Sequence, residues 1–502
     1  ESDTAQATLA WVKAENKITT DYLSKIPFRA KLLNRMKELA NYEKYSAPWY
    51  NKHTQKWYFY RNNGLQNQSV LYVMNRLGDE KKAQIFLDPN KLSTDGTVAL
   101  KSISFSNNGK YAAYAISRSG SDWQEFYVID TNSGKLLNDH IKWAKFSNAA
   151  WLGDGFYYSA YDAPSPGNEL SNVNSVQKIY YHKIGTPQSE DILFYQNPEQ
   201  PMRFYTLGVN EDETMMFLIE SGAGQGNGLY VRNLKQEGSQ FIQLNANLEA
   251  QCNPIKTIGD KIYILTNEKA PTNKLVVTDI HHPSKADWKT VIPANSNVLE
   301  DVAFVDGKLI LTYMQDAYSH SYLYSIDGKQ LKEIKLPTVG SASFTGNYER
   351  PEVFYSFTSF TEPTSVYQYN VNTNTSTTYT SPKVKFDKNK FVSEQVYITS
   401  KDGTKVPVFL TYKKGLKRNG KNPLLLYAYG GFGISLTPSF SSVRLPFIEN
   451  GGIYAMACLR GGNEFGEAWH LAGTKMNKQN VFDDFISAAE YLIKEKYTSK
   501  DF

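Results

Sequence analysis

Through the middle of the chain, apolar and polar positions alternate in short runs broken by Gly, Asp and Asn, a pattern that predicts half-buried strands joined by tight turns. An aromatic or aliphatic strand begins at Trp57 (WYFY), Tyr111 (YAAYAI), Phe156 (FYYSAY), Met215 (MMFLI), Ile262 (IYIL), Leu309 (LILTY) and Val353 (VFYSF). These starts recur about every 49 residues, close to the period of four-stranded repeat units. Ahead of several lies a turn rich in Asx and Gly (FSNNGK, WLGDG, TIGDK, FVDGK), which supplies the backbone freedom that tight hairpins need. A further strand follows in each copy, from Val70, Phe126, Lys178, Leu229, Leu275, Tyr322 and Val366. One such meander cannot bury both faces, and radial packing of seven covers them while leaving only short edges. The expectation is a seven-bladed β-propeller over residues 46–382. The alternative is a pair of β-sandwiches with coincident spacing.

Both flanks depart from that rhythm. Residues 1–45 read as helical, with Leu32, Leu33, Met36 and Leu39 spaced by threes and fours in FRAKLLNRMKELANY. Beyond residue 383 come a strand (EQVYITS), a hairpin turn (SKDGTKV) and a second strand (PVFLTY). Two continuous apolar runs follow, PLLLYAY at 423–429 and GIYAMACL at 452–459, predicting strands buried on both faces of a helix-covered sheet. The segment NVFDDFISAAEYLIKEKY predicts a helix with Val481, Phe482, Phe485, Ile486, Ala489, Leu492 and Ile493 on one face, Asn480 as its cap, and Asp483 and Asp484 in its first turn. Residues 383–502 therefore read as α/β.

A chain of 502 residues exceeds one ordinary core and calls for two or more domains. No apolar run approaches the roughly 20 residues that span a bilayer, so no membrane partner is expected. Lys plus Arg number 55 against 50 Asp plus Glu, too even a balance for the basic stripe that nucleic acid requires. Cys252 and Cys458 are too few for a disulfide scaffold or a cysteine-rich metal site. The start, Glu-Ser-Asp-Thr-Ala, lacks the basic and apolar stretches of a secretion signal, and a soluble protein of cytoplasm or periplasm is expected. Adjacent His281 and His282 point to opposite faces of a strand, which argues against a metal pair, and no cofactor is called for.

Reactive groups in α/β enzymes sit where buried strands run into glycine turns, since glycine lets the backbone approach a ligand. Two such turns occur, Tyr429-Gly430-Gly431-Phe432-Gly433 and Arg460-Gly461-Gly462-Asn463-Glu464-Phe465-Gly466. Neither is followed by Gly-Lys-Ser or Gly-Lys-Thr, which argues against a phosphate loop.

Taken together, YAYGGFG, CLRGGNEFGEAWH, NKQNVFDDF and AAEYLIKEKYTS closely resemble the prolyl oligopeptidase family of serine peptidases. GLQNQSVLYV, FLDPNKLSTDGTVAL and SGSDW extend the resemblance into the first blades. It implies a seven-bladed propeller inserted in an α/β-hydrolase domain, whose parts here are 1–45 and an incomplete 383–502, acting on short proline-containing peptides as a monomer without cofactors. Tyr429 matches the family's tyrosine donor to the oxyanion, and Phe432 the aromatic wall of the proline pocket. Tyr157 and Phe204 lie near positions that approach the peptide upstream of the scissile bond. Small residues at 221–228 stand where relatives carry a cysteine.

One part of the pattern is missing. No Gly-x-Ser-x-Gly occurs, and the family's nucleophile turn follows a helix matching 480–496 and a further strand, so the Ser, Asp and His of the triad are expected beyond Phe502. Of the seven histidines, six fall in the propeller and His470 in the second glycine region, and none reads as the general base. Hinges are expected at 42–46 and 380–386. A dipeptidyl or acylaminoacyl peptidase of the same architecture and a non-catalytic propeller remain the rival readings.

Overall fold

The computed structural model describes residues 5–222, 224–246 and 248–502. Helices Gln6–Ser24 and Arg29–Ala40 come first. Among the described residues, seven antiparallel meanders follow, at 44–87, 98–145, 150–196, 204–245, 252–292, 298–334 and 341–380, here blades 1 to 7. Blade 1 begins at Lys44, two residues ahead of the expected boundary, because Lys44 and Tyr45 pair with Asn62 and Arg61. Each aromatic strand noted above is the second of its blade. In blades 3, 6 and 7 the fourth strands carry mostly exposed residues, as an outer rim does, which leaves the first strands facing the axis.

Every pair of neighbouring blades shares an apolar cluster, and this packing is what holds the ring. Tyr157, Tyr205 and Met216 join blades 3 and 4, and Ile310, Phe344 and Tyr355 join blades 6 and 7. The ring closes where Trp57 and Phe59 of blade 1 meet Phe354 and Val366 of blade 7, with Arg350 lying 4.0 Å over the ring of Tyr50. Blades 2 and 3 are also continuous in hydrogen bonding, since the ten-residue strand Leu136–Lys145 reaches far enough for Ala144 to pair with Ala160.

The remaining sheet is mixed, in the order Phe391–Thr399, Lys405–Lys413, Ile453–Ala457, Leu424–Ala428, and only its last two strands are parallel. Ile453–Ala457 is buried throughout, as its apolar run predicts. Leu424–Ala428 is not: among the described residues it is the edge strand, and Leu425 and Tyr427 are about half exposed. Helix Gln479–Lys494 turns Val481, Asp484, Ala488 and Leu492 inward. Phe482, Phe485, Ile486 and Ile493 are exposed, so the predicted single apolar face is in fact two, and only one is packed. Asn480 lies inside this helix and binds the Ala472 carbonyl, so it is no cap. Leu39 is buried under the sheet, whereas Leu33 and the whole of Gln6–Ser24 are exposed or nearly so.

Candidate active site

The turn at 429–433 leaves the C-terminal end of the edge strand, and its shape follows from what it rests on. Gly430 has φ +62°, and a Cβ there would stand 2.5 Å from Val481 Cγ1, so only glycine fits between strand and helix. Gly461 of the second turn has φ +89° and would drive a Cβ to within 2.7 Å of the Gly430 carbonyl oxygen. The two glycine turns thus lie backbone to backbone, tied by the Gly433 N–H to the Gly461 carbonyl at 3.0 Å and by the Lys478 ammonium to the Gly430 carbonyl at 2.7 Å. The first turn continues into residues on blade 7, where the Phe440 N–H meets the Thr358 hydroxyl and Ser341 reaches the Pro438 carbonyl. The second rests on blade 5 through the Glu467 N–H and the Pro271 carbonyl at 2.8 Å. Both therefore sit on the propeller side of the sheet.

Tyr429 is 46% exposed, and its hydroxyl makes no hydrogen bond among the described residues. Phe432 is 87% exposed, with φ +54°, a left-handed backbone that costs a residue with a side chain about 1–2 kcal/mol. The tight turn pushes its ring outward, free of the core. Tyr429 and Phe432 are thus presented together, three residues apart on one turn: a free hydroxyl donor and a bare apolar wall.

Beneath the second turn, Arg460 is almost fully buried against Asp484, which is wholly buried. The guanidinium donates to the carboxylate at 2.6 and 3.0 Å, and the Arg460 N–H adds a third bond at 3.1 Å. Ser400 donates to the same carboxylate at 2.6 Å, and Asp402, held down to about 2 by Arg460, takes the outer edge of the guanidinium. Planar bidentate pairing fixes the orientation of the Arg-Gly-Gly backbone in a way a lysine could not. Sequence reasoning placed Asp484 in a helix's first turn, and nothing local in the pattern reveals its partner 24 residues upstream.

A second group escaped sequence reading. Glu464 is 2% exposed; one carboxylate oxygen accepts the Leu436 N–H at 2.8 Å, and the other has no partner among the described residues. Burial pushes its carboxyl up to about 7. Glu300, on the innermost strand of blade 6, is raised to about 7 by desolvation and then by repulsion from Asp301 and Glu464. Its surface is accessible, yet it is crowded by protein on the inner wall of the ring, which reconciles exposure with desolvation. The space between ring and sheet is therefore acidic on one side.

The propeller residues fare differently. Phe204 begins the innermost strand of blade 4 at its sheet-facing end, with its ring edge-on to Phe146 at 5.3 Å. Tyr157 is buried inside blade 3, its ring 4.9 Å from Tyr181 and 4.7 Å from Phe194. No hydrogen bond or ring contact joins either to the glycine turns among the described residues. At 221–228, Ala223 lies outside the described residues. Gly226 is required because a Cβ would fall 2.1 Å from the Ala250 carbonyl oxygen. His470 packs against Gly433, and exposed His281 stands 3.5 Å from Asp260; no group of three metal-binding side chains occurs among the described residues. No helix among them is long and apolar enough to cross a membrane.

Comparison with known proteins matches this geometry. Residues 1–382 match the family described as "Prolyl oligopeptidase, N-terminal beta-propeller domain", and residues 438–501 match "Prolyl oligopeptidase family". The prolyl endopeptidase of Elizabethkingia meningoseptica is 45% identical over the whole chain, which spans 70% of that protein. A solved structure from a study of two prolyl endopeptidases and their inter-domain dynamics superposes with a TM-score of 0.92 at 34% identity, covering 99% of this chain and 73% of that one. Prolyl oligopeptidase B of Galerina marginata, bound to a 35-residue substrate, gives 0.91 at 32% identity, with the same two coverages. Ring, mixed sheet and paired glycine turns agree with these matches in assigning the fold, a seven-bladed β-propeller set into an incomplete α/β-hydrolase domain, and the chain belongs to the prolyl oligopeptidase family.

Proposed function

We propose that this chain is the propeller and the first part of the hydrolase domain of a post-proline endopeptidase, acting on short peptides. The observation that carries the reading is the unpaired Tyr429 hydroxyl beside the bare Phe432 ring, on a turn held rigid against a second glycine turn. In acyl transfer a serine oxygen attacks the carbonyl carbon of the proline residue, and the carbonyl oxygen gains negative charge as its π bond opens. A donor already aimed at that oxygen lowers the barrier by about 3–4 kcal/mol, because it needs no reorganisation. Tyr429 has the freedom to be that donor. The Phe432 ring suits a pyrrolidine, which offers carbon surface and no N–H. The serine, the histidine that takes its proton and the aspartate that orients the histidine would come from the length the relatives have beyond this chain.

In this reading the propeller excludes large substrates. At its far face the hairpins of blades 1 and 4, which are not neighbours, are bridged by Lys52 to Glu211 at 3.3 Å and to Asp212 at 3.1 Å, and Lys256 of blade 5 joins Glu211 at 3.2 Å. Ion pairs across the axis narrow that mouth and favour entry between ring and sheet. The test is Tyr429→Phe in a full-length form, meaning a polypeptide continued to the length of the relatives. The kcat for a blocked Gly-Pro peptide should fall about 100-fold with little change in KM. An unchanged kcat removes Tyr429 from the chemistry.

A further inference from the structure

The SGSDW run at 119–123 takes no part in the glycine turns, but it forms one wall of a cleft of about 440 Å³ between blades 2 and 3. The other walls come from Arg118, Glu125, Lys142, Trp143 and Leu170. Its position follows from the ring's topology. The hairpins joining second and third strands face the sheet in blades 5, 6 and 7, where Pro271, Asp316 and Phe360 touch it. The corresponding hairpins of blades 2 and 3 are 119–122 and 161–177, so the cleft opens on that same side. It is built from second to fourth strands, which puts it on the outer lip.

Two half-buried tryptophans make a corner there. Trp123 and Trp143 stand 5.5 Å apart at 86°, each offering part of its ring to the cleft. The corner is fixed before any ligand arrives. The Trp123 indole N–H donates to the Glu169 carbonyl at 2.6 Å, Tyr161 meets its ring edge-on, and the Lys145 ammonium lies 5.1 Å over it. Trp143 is held in the left-handed region at φ +61°, and Ser119 and Gly120 turn the adjoining hairpin at +50° and +75°. Bare indole surface held rigid at no further entropic cost is what binds proline-bearing chains, because the pyrrolidine ring packs flat and an extended proline segment has little freedom to lose.

The charges at the rim are unequal. Glu125 is spent on Arg118 at 2.7 Å, on His140 at 2.8 Å and on the Tyr127 hydroxyl at 2.8 Å. The Glu169 carboxylate accepts the Gly167 N–H. Lys142 is exposed and has no ion pair among the described residues, so it is open to a ligand carboxylate; Glu169 and the exposed Asp122 of the adjoining hairpin have no cation there either.

We propose that this cleft binds an extended, proline-bearing peptide segment, its pyrrolidine ring seated in the Trp123–Trp143 corner and a neighbouring carboxylate reaching Lys142. The ligand class is that of the proposed function; the cleft itself is argued from its own side chains. Binding by the 502-residue chain tests it without any catalytic turnover, so failure of the cleft and failure of the peptidase reading are separate results.

The probe is acetyl-Gly-Pro-Pro-Pro-Glu-Gly-amide, titrated calorimetrically and by tryptophan fluorescence, beside the same peptide with Ala for Pro or Lys for Glu. Saturable binding that prefers the proline and glutamate peptide is expected. Trp143→Ala should weaken it at least about tenfold, as for an aromatic anchor in a pocket. Leu170→Glu sits on an exposed loop, where folding is not at issue, and should weaken it as well. Lys142→Glu should reverse the preference between glutamate and lysine peptides. The proposal is overturned by no saturable binding at millimolar peptide, by equal binding of the alanine peptide, or by indifference to Trp143→Ala and Leu170→Glu.

Discussion

Glu464 carries a cost that rises with pH. Its carboxyl, lifted to about 7 by burial and only partly relieved by the Leu436 N–H, must be ionised above that pH with one oxygen unpaired. A carboxyl raised in the folded state stabilises the fold below its ordinary value near 4.5, and that contribution drains away as pH rises through about 7. Glu464→Gln keeps the bond to Leu436 and removes the charge. It should therefore match the parent in thermal melts at pH 4.5 and gain about 1–3 kcal/mol at pH 8.5. A difference independent of pH would show that the unpaired oxygen finds a cation. The glycine turn at 429–433 is legible because a strand ending in Gly-Gly is a local pattern, whereas the roles proposed for Tyr429 and Phe432 rest on the family resemblance. Glu464 is not legible, because its burial depends on a contact between the turn and residue 436, 28 positions away.

The strand repeats could be read because hairpin turns and alternating aromatics are set by neighbours in sequence. Helix Gln479–Lys494 was misread for the opposite reason: six of its large apolar residues fit one broad stripe, yet the charged Asp484 faces inward to meet Arg460 while Phe482 and Ile486 face out. An inward carboxylate cannot be inferred from apolar spacing. For the edge strand Leu424–Ala428, apolarity reports what a strand is suited to, and its exposure is that of a chain spanning 70% of its relatives' length.

Between blades 2 and 3 sits another element invisible to pattern. His182 is wholly buried between Asp191 at 2.7 Å and Asp139 at 3.0 Å, and Tyr158 donates to Asp191 at 2.7 Å. Although burial alone would lower it, the two carboxylates raise the imidazole to about 9. This clasp is fully present below about 6.5 and weakens as pH climbs through about 9. On the acid side it is lost when pH falls below 3.8 through the depressed value of Asp139. His182→Gln leaves two buried aspartates without their cation and should cost about 3–5 kcal/mol near pH 7. Amide exchange should speed up in blades 2 and 3 first; uniform acceleration around the ring would contradict a local clasp.

At the scale of the whole molecule the interface is lopsided. Among the described residues, hydrogen bonds between the ring and the chain after it fall on Pro271, Asp316, Ser341, Thr358 and Glu362, all in blades 5 to 7. Arg35 binds Glu449 at 2.6 and 2.9 Å and the Lys385 carbonyl at 2.9 Å, tying the segment before the ring to the one after it. That side is suited to act as a hinge and the side of blades 1 to 4 to part. The role proposed for ring and glycine turns together is endopeptidase cleavage after proline. Its most direct test is hydrolysis of a peptide blocked at both ends, with one internal Gly-Pro, by the full-length form. Cleavage on the carboxyl side of proline, undiminished relative to a peptide with a free N-terminus, is the predicted result. Cleavage only of peptides with a free N-terminus, or none after proline, contradicts it.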